Sequence, residues 1–411
     1  MPNPTLLEKY ARLCVRIGAN VKKDQPVVIR ATTETKDFVR EVTKQAYLAG
    51  AKRVFVNWSD DHVSRLGLEH MSLKTLTDIP EWLVQQGKYA IDVDACFISV
   101  TSPVPGLNAG IDPNKLQQSS LAMMKKLAFM SDHMMSNKTQ WSVAAVPNAV
   151  WAKKIFPEKS EEEAMEALWH AIFKACRVRE DNDPIAEWEA HSETLARRNA
   201  VLNAHRFDAL HFKNALGTDL TVGLIENHVW TGGAETTAGG HRFNPNIPTE
   251  ETFTMPHKMR AEGKVVATKP LNYQGRLIEG FHFVFKDGEV VDYGAEKEEA
   301  ALKNLLEFDE GSRRLGEVAL ISHDSPISNA DILFLNTLFD ENASCHLALG
   351  RAYPMNVEGG TNMEKEALEA LGVNHSMAHV DFMFGSADLD VVGEKADGTR
   401  ITVFKNGSFV I

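Results

Sequence analysis

PVVIRATTETKDFVREVTKQAYLAGAKRVFVNW, Pro26 to Trp58, reads as strand, helix, strand. PVVIRA is a short apolar run, the pattern of a strand buried on both faces. From Glu34 to Ala49, Phe38, Val42 and Ala46 recur at helical spacing, and Gly50 ends the pattern. KRVFVNW, Lys52 to Trp58, is strand-like again. The alternation continues with a helix over Glu81–Tyr89, a strand at Ala95–Thr101, a helix over Asn114–Met130 and a strand at Gln140–Val146. In that third helix Leu116, Leu121, Met124, Leu127 and Ala128 fall near one face. Strands and helices of these lengths in alternation predict an α/β region with a mostly parallel sheet.

Two further helices follow. Ser160 with Glu163 makes a capping box for a helix over Ser160–Val178. Met165, Leu168, Trp169, Ile172, Phe173 and Cys176 form its apolar stripe, read as core packing. DNDP at Asp181–Pro184 breaks it, and Ile185–His205 is the second helix. After about residue 206 the texture changes to alternating runs: DALHFKN, DLTVGLI, KVVATKPL, FHFVFKDGEVVDY and TRITVFKNGSFVI. Turns such as KDGE, ADGT and KNGS lie within or between them, as antiparallel hairpins require. Short helices are expected at Ala295–Glu307 and Asn362–Leu371. The prediction is an N-terminal α/β domain, 1–210, followed by a β-rich α+β C-terminal metal-binding domain, 211–411.

Composition bounds the function. The chain has 411 residues, 44% hydrophobic and 24% charged, with a net charge of −12. That acidic balance argues against a nucleic-acid surface, which would normally show a basic stripe. No window reaches the ~18–20 uninterrupted apolar residues of a membrane span. The N-terminus lacks the basic and apolar regions of a signal peptide. Four cysteines, Cys14, Cys96, Cys176 and Cys345, are scattered without a C-x-x-C, which argues against a disulfide framework. A cytoplasmic protein is expected. A glycine-rich phosphate loop, H-E-x-x-H and G-x-S-x-G are all absent from the sequence, so nucleotide binding and serine hydrolysis find no support.

The chemistry-bearing residues concentrate in the second half. HVDFMFGSADLDV, His379 to Val391, opens with His-x-Asp. On a strand, residues two apart share a face, so His379 and Asp381 offer an imidazole and a carboxylate to one point. FDENASCHLALG, Phe339 to Gly350, supplies Asp340, Glu341 and His346. Cys345 beside His346 is no nucleophile–base pair, because neighbouring residues diverge on a strand or a helix. Glu317 opens the apolar run of RRLGEVALI, where an acid is costly unless paired or metal-bound. Glu250 and Glu251 stand between prolines in NPNIPTEETFTMP. Taken singly, the glutamate pair also reads as a solvated turn, Glu317 as an exposed strand end, and His346 as a hydrogen-bonded core residue. Together, Glu251, Glu317, His346, His379 and Asp381 are a mixed nitrogen and oxygen set suited to two divalent ions.

TEETFTMP, TKPL, LGEVALI, SPIS, TLFDENASCHLALGRAY and HVDFMFGSADL, in that order, closely resemble the aminopeptidase T / aminopeptidase S / PepS family of dinuclear metallo-aminopeptidases. The resemblance is densest from Asn244 onward. It implies a broad-specificity aminopeptidase that removes single residues from peptides with a free N-terminus. It implies five metal ligands at Glu251, Glu317, His346, His379 and Asp381, and a catalytic tyrosine at Tyr353. Glu251 is preferred to Glu250 because the family's glutamate stands directly before x-F-T. Thr252 departs from the family's valine-like residue, with little consequence expected. The resemblance also implies two zinc, cobalt or manganese ions, a homodimer, and roles for Glu317 and Glu251 in bridging the ions and moving a proton. The residues alone leave two alternatives open: another metal-dependent amidohydrolase such as a dipeptidase or deacylase, and a non-catalytic peptide- or metal-binding protein. The glycine-rich stretch Thr231–Pro248 reads either as a loop at the site or as a plain connection.

Overall fold

The computed structural model describes residues 2–411. It divides into two compact units. The first comprises the chain up to Ala190 together with Ala234–Pro248, and the second comprises His191–Gly233 with Thr249–Ile411.

The first unit is α/β. Its sheet has five strands in the order Arg53–Ser59, Pro26–Thr32, Cys96–Thr101, Trp141–Ala145 and Asn246–Ile247. Every pairing is parallel. Val27, Ile29 and Cys96 are fully buried, as the near-continuous apolar runs of a covered parallel sheet require. Four of these strands and the helix Lys36–Leu48 follow the expected alternation within a residue or two. The helix Glu161–Ala175 is nucleated as read: Ser160 accepts from the Glu163 backbone N–H and Glu163 reaches back to the Ser160 N–H. The helix expected over 114–130 differs. It is two helices, Pro113–Lys126 and Ala128–Met135, meeting at Leu127, and no residue of either is fully buried. Its apolar residues are at most partly buried, and Met130 and Met134 pack against the Val28, Ala90, Ala95 and Phe97 cluster. The fifth strand, Asn246–Ile247, has no counterpart in the sequence reading; two residues are too few for a periodicity.

The second unit is β-rich. An eight-stranded antiparallel sheet runs in the order Glu289–Gly294, His282–Lys286, Pro256–Val266, Asp219–Leu224, Phe207–Lys213, Asp390–Lys395, Arg400–Lys405, Ser408–Phe409. A second antiparallel sheet of four strands runs in the order Thr252–Thr254, Leu315–Leu320, His346–Gly350, His379–Met383. Strand alternation gives this small sheet two different faces. Val318, Leu320, Leu347, Leu349 and Phe382 point into one apolar core with Phe212, Val222, Phe283 and Val391 of the large sheet. The Phe283 and Phe382 rings meet edge-on at 5.0 Å. Each such ring contributes roughly 2–3 kcal/mol by burial, so the core fixes the register of the small sheet. The opposite face of that sheet is free to present polar groups.

Candidate metal centre

Register places the expected ligands on that opposite face. Glu317 stands opposite Ala348, and Ala348 stands opposite Asp381 on its other side. His346 pairs with Ala319 and with Met383, one step along the same face. His379 lies opposite Gly350, and Glu251 immediately precedes the edge strand that begins at Thr252. The row Glu317–Ala348–Asp381 therefore sets two carboxylates either side of a single methyl group. A bulge between Leu315 and Glu317 offsets the glutamate. It needs Gly316: a Cβ there would lie 2.4 Å from the Gly350 and Arg351 carbonyl oxygens.

The donor atoms converge. His346 Nε2 lies 3.4 Å from Glu317 Oε1, 3.5 Å from Glu251 Oε2 and 4.0 Å from Asp381 Oδ1. His379 Nε2 lies 3.4 Å from Asp381 Oδ1 and 3.6 Å from Glu317 Oε2. One donor atom each from Glu251, Glu317 and His346 lies within 4.8 Å of the others. The imidazoles are oriented from behind. His379 Nδ1 donates to the Arg351 carbonyl at 2.7 Å, and His346 Nδ1 faces the Ser344 carbonyl at 3.4 Å. Each Nε2 is thereby left to the acids. Glu250 points away, with Oε2 3.7 Å from His191 Nε2. Its backbone N–H donates to Asn342 Oδ1 at 2.7 Å, which pins the turn before Glu251.

Electrostatics shows what the cluster lacks. Burial, then the Glu317 charge, pushes the Glu251 carboxyl up to about 8. Burial alone would lower both imidazoles, yet the surrounding acids raise His346 and His379 to about 9. Burial also raises Asp381, but the two histidines outweigh it and hold its carboxyl below its ordinary value. Asp381 Oδ1 is buried without a hydrogen-bond partner among the described residues. So many buried carboxylates with an orphaned oxygen demand compensating positive charge. Hard carboxylate oxygens with imidazole nitrogens fit divalent zinc, cobalt or manganese, and no thiolate takes part.

Tyr353 stands beside this group, its ring centroid 4.7 Å from that of His379. Burial first, then Glu317, Asp381, Glu341 and Glu251, hold its phenol far above the ordinary value, so it keeps its proton. The sequence reading noted Glu341 without a role. Here it is half-buried beside the acids, and desolvation, then Glu251, Asp381, Glu317 and Asp340, raises its carboxyl well above the usual range. Ala348 and Asn342 were not singled out, because a small residue between ligands and an amide under a turn gain meaning only from register. Thr252 is fully buried. Its hydroxyl is buried with no hydrogen-bond partner among the described residues, at a cost of about 1–3 kcal/mol. In the glycine-rich stretch, Gly232 at φ +137° lies against Glu251, where a Cβ would come within 2.2 Å of the Glu251 carbonyl oxygen.

An antiparallel sheet with one apolar face and one face of acids and imidazoles can hold the ions of a metal-dependent hydrolase. The chain belongs to the thermophilic metalloprotease family (M29), whose sequence model matches residues 4–409. It is a metal-dependent peptidase. It is 47% identical over 403 residues to Aminopeptidase AmpS of Bacillus subtilis (strain 168), with 98% of each chain covered. Aminopeptidase T of Thermus thermophilus is 42% identical over 405 residues, again with 98% of each chain covered. The solved structure of wild-type AmpT from Thermus thermophilus superposes with a TM-score of 0.93 at 42% identity, covering 99% of both chains. No described helix is long and apolar enough to cross a membrane.

Proposed function

We propose that this metal-dependent peptidase is an aminopeptidase that releases single residues from peptides with a free N-terminus, and that residues 211–411 form its catalytic domain. The observation that carries this reading is the convergence of Glu251, Glu317, His346, His379 and Asp381 on one sheet face beside a protonated Tyr353. These five residues would hold two divalent ions, zinc, cobalt or manganese. Bound there, such ions supply Lewis acidity that lowers the pKa of water and polarises a carbonyl. The chain's residues do the rest. Glu317 lies within reach of both imidazoles and Glu251 within reach of His346; one of them would help hold both ions, and one would accept the water proton and return it to the leaving amine. The Tyr353 phenol donates a hydrogen bond to the oxygen on which charge develops. The excess of carboxylates recognises the substrate's α-ammonium, which accounts for exopeptidase selectivity. The protein works as a cytoplasmic homodimer.

The deciding experiment measures metal content and hydrolysis of leucine p-nitroanilide before and after chelation. Activity should vanish with the metal and return on adding a divalent ion, and the N-acetylated substrate should be inert. A metal-loaded sample that hydrolyses no free-amine substrate overturns the reading. Sedimentation at the mass of one chain overturns the dimer.

A further inference from the structure

The parallel sheet of the first unit carries a cation that nothing in the chain neutralises. Arg30 stands near the end of the strand Pro26–Thr32, level with Asn57 on one neighbouring strand and Ser99 on the other. It is half-buried, and its guanidinium lies over the Phe97 ring at 4.8 Å. Among the described residues no acid pairs with it and no group hydrogen-bonds to it. Burial lowers the guanidinium from its ordinary value, with no acid to offset the loss of water. Arg260 and Arg314, by contrast, are matched to Asp208 and Glu289. A charge withdrawn from water without a partner is costly, so the position suits a partner from outside the chain.

Two hydroxyls share its face. Thr32 lies two residues on along the strand, and its Oγ1 is buried with no hydrogen-bond partner among the described residues. Ser99 lies directly beside Arg30. Asn57 is already engaged, since its Oδ1 accepts from Gln86 Nε2 at 2.9 Å. The topology puts this group at a distinctive place. The chain sets its second strand, Arg53–Ser59, on one side of Pro26–Thr32 and its third, Cys96–Thr101, on the other. The winding reverses there, and in such sheets the crevice at the carboxyl ends of the strands is where ligands bind. The root of the loop after Cys96–Thr101 is fixed, because Asn148 Nδ2 donates to Ser102 Oγ at 2.9 Å and to the Pro103 carbonyl at 2.8 Å.

The surroundings select the kind of anion. Acids gather where the strands end: the Thr33 hydroxyl meets Glu34 Oε1 at 3.3 Å and Asp60 Oδ2 at 3.4 Å. Burial, then Glu34 and Asp60, raises the neighbouring Asp61 carboxyl. That rim repels a dianion more than a monoanion. The turn Thr32–Thr35 contains no glycine, so it offers no backbone cradle for a phosphate. A planar guanidinium fork matches a carboxylate through two parallel hydrogen bonds.

We propose that Arg30, with the Thr32 and Ser99 hydroxyls beside it, binds the carboxylate of a small monoanionic ligand at this switch point, a binding site made by residues of the first unit. The inference stands whether or not the aminopeptidase reading holds.

The test reads Arg30 itself, so binding of anions at the acid and imidazole cluster does not confuse it. Full-length, metal-loaded protein is treated with phenylglyoxal, which attacks arginine, and the modified positions are found by peptide mass spectrometry. Arg30 should react in chloride buffer. Saturating sodium acetate at equal ionic strength should slow that reaction by about 10-fold or more, while Arg260, paired with Asp208, keeps its rate. Inorganic phosphate, mainly dianionic at about pH 8, should protect Arg30 less than acetate does. Arg30→Met keeps an apolar stem over Phe97 and removes the charge, so acetate should raise its melting temperature less than that of the native chain. An Arg30 that resists phenylglyoxal in chloride, a rate unmoved by acetate, or stronger protection by phosphate overturns the proposal. An equal acetate-induced rise in the folded variant overturns it as well. The protection measurement on the native chain decides the matter even if Arg30→Met fails to fold.

Discussion

Single residues decide the chemistry, and Tyr353 is the sharpest case. Burial among Glu317, Asp381, Glu341 and Glu251 raises its phenol above the ordinary value, which favours the protonated, hydrogen-bond-donating form. Tyr353→Phe should lower kcat by roughly 10²–10³-fold while metal content, measured by atomic emission, stays at the native value. Equal turnover in a metal-replete variant would remove the role. Glu250 and Glu251 show how much one position matters. They are neighbours on an extended segment, so one turns to His346 at 3.5 Å and the other to His191 at 3.7 Å.

At the scale of the element, the four-stranded sheet acts as a template. Its apolar face is locked by the shared core, and its other face inherits the ligands by register alone. Ala348 is the small residue that keeps Glu317 and Asp381 apart without filling the space between them. Ala348→Leu should cut bound metal to about half or less of the native stoichiometry, since displaced ligands cost of the order of 10–100-fold in affinity. Circular dichroism should show the strands intact, and native metal content in the variant would contradict this account. A second element, the two-stranded ribbon Glu235–Thr236 with Arg242–Phe243, lies in the first unit. Burial raises Glu235 from 4.5 to about 7, against a hydrogen bond from Asn137 that lowers it. The unfolded chain ionises first, so the native state loses stability as pH rises from about 4.5 to 7. Glu235→Gln removes that loss. Its melting temperature should match the native chain near pH 4 and exceed it by about 1–3 °C at pH 8. A difference that does not grow with pH would rule out the linkage.

Across the whole molecule the cysteines report the quality of the core. All four are buried and none forms a disulfide. Burial pushes Cys96 and Cys345 up to about 12 and raises Cys14 well above its ordinary value. Thiol reagents at pH 8 should therefore leave the native chain unmodified and find four thiols only after denaturation. Rapid native labelling would show that the units open readily.

Much of this organisation is written in local pattern. Pro26–Thr32, Arg53–Ser59, Cys96–Thr101 and Trp141–Ala145 lie where apolar runs of five to seven residues require strands. The Ser160–Glu163 pair marks a helix start through two hydrogen bonds that span three residues. His379 and Asp381 are legible as a pair because strand alternation is a local rule. The amphipathic stretch over 114–130 was legible only as spacing, since nothing in it shows whether a core awaits its apolar face. What the tertiary structure alone decided is anything that depends on which strands become neighbours. The pairing of Glu317 with Asp381 across Ala348 and the seat of Arg30 between Asn57 and Ser99 join segments through cross-strand register. Sequence fixes which side of a strand each residue faces, because that is set by the pleat. Which residues then meet is set by the packing of one apolar face into a common core, and no local pattern contains it.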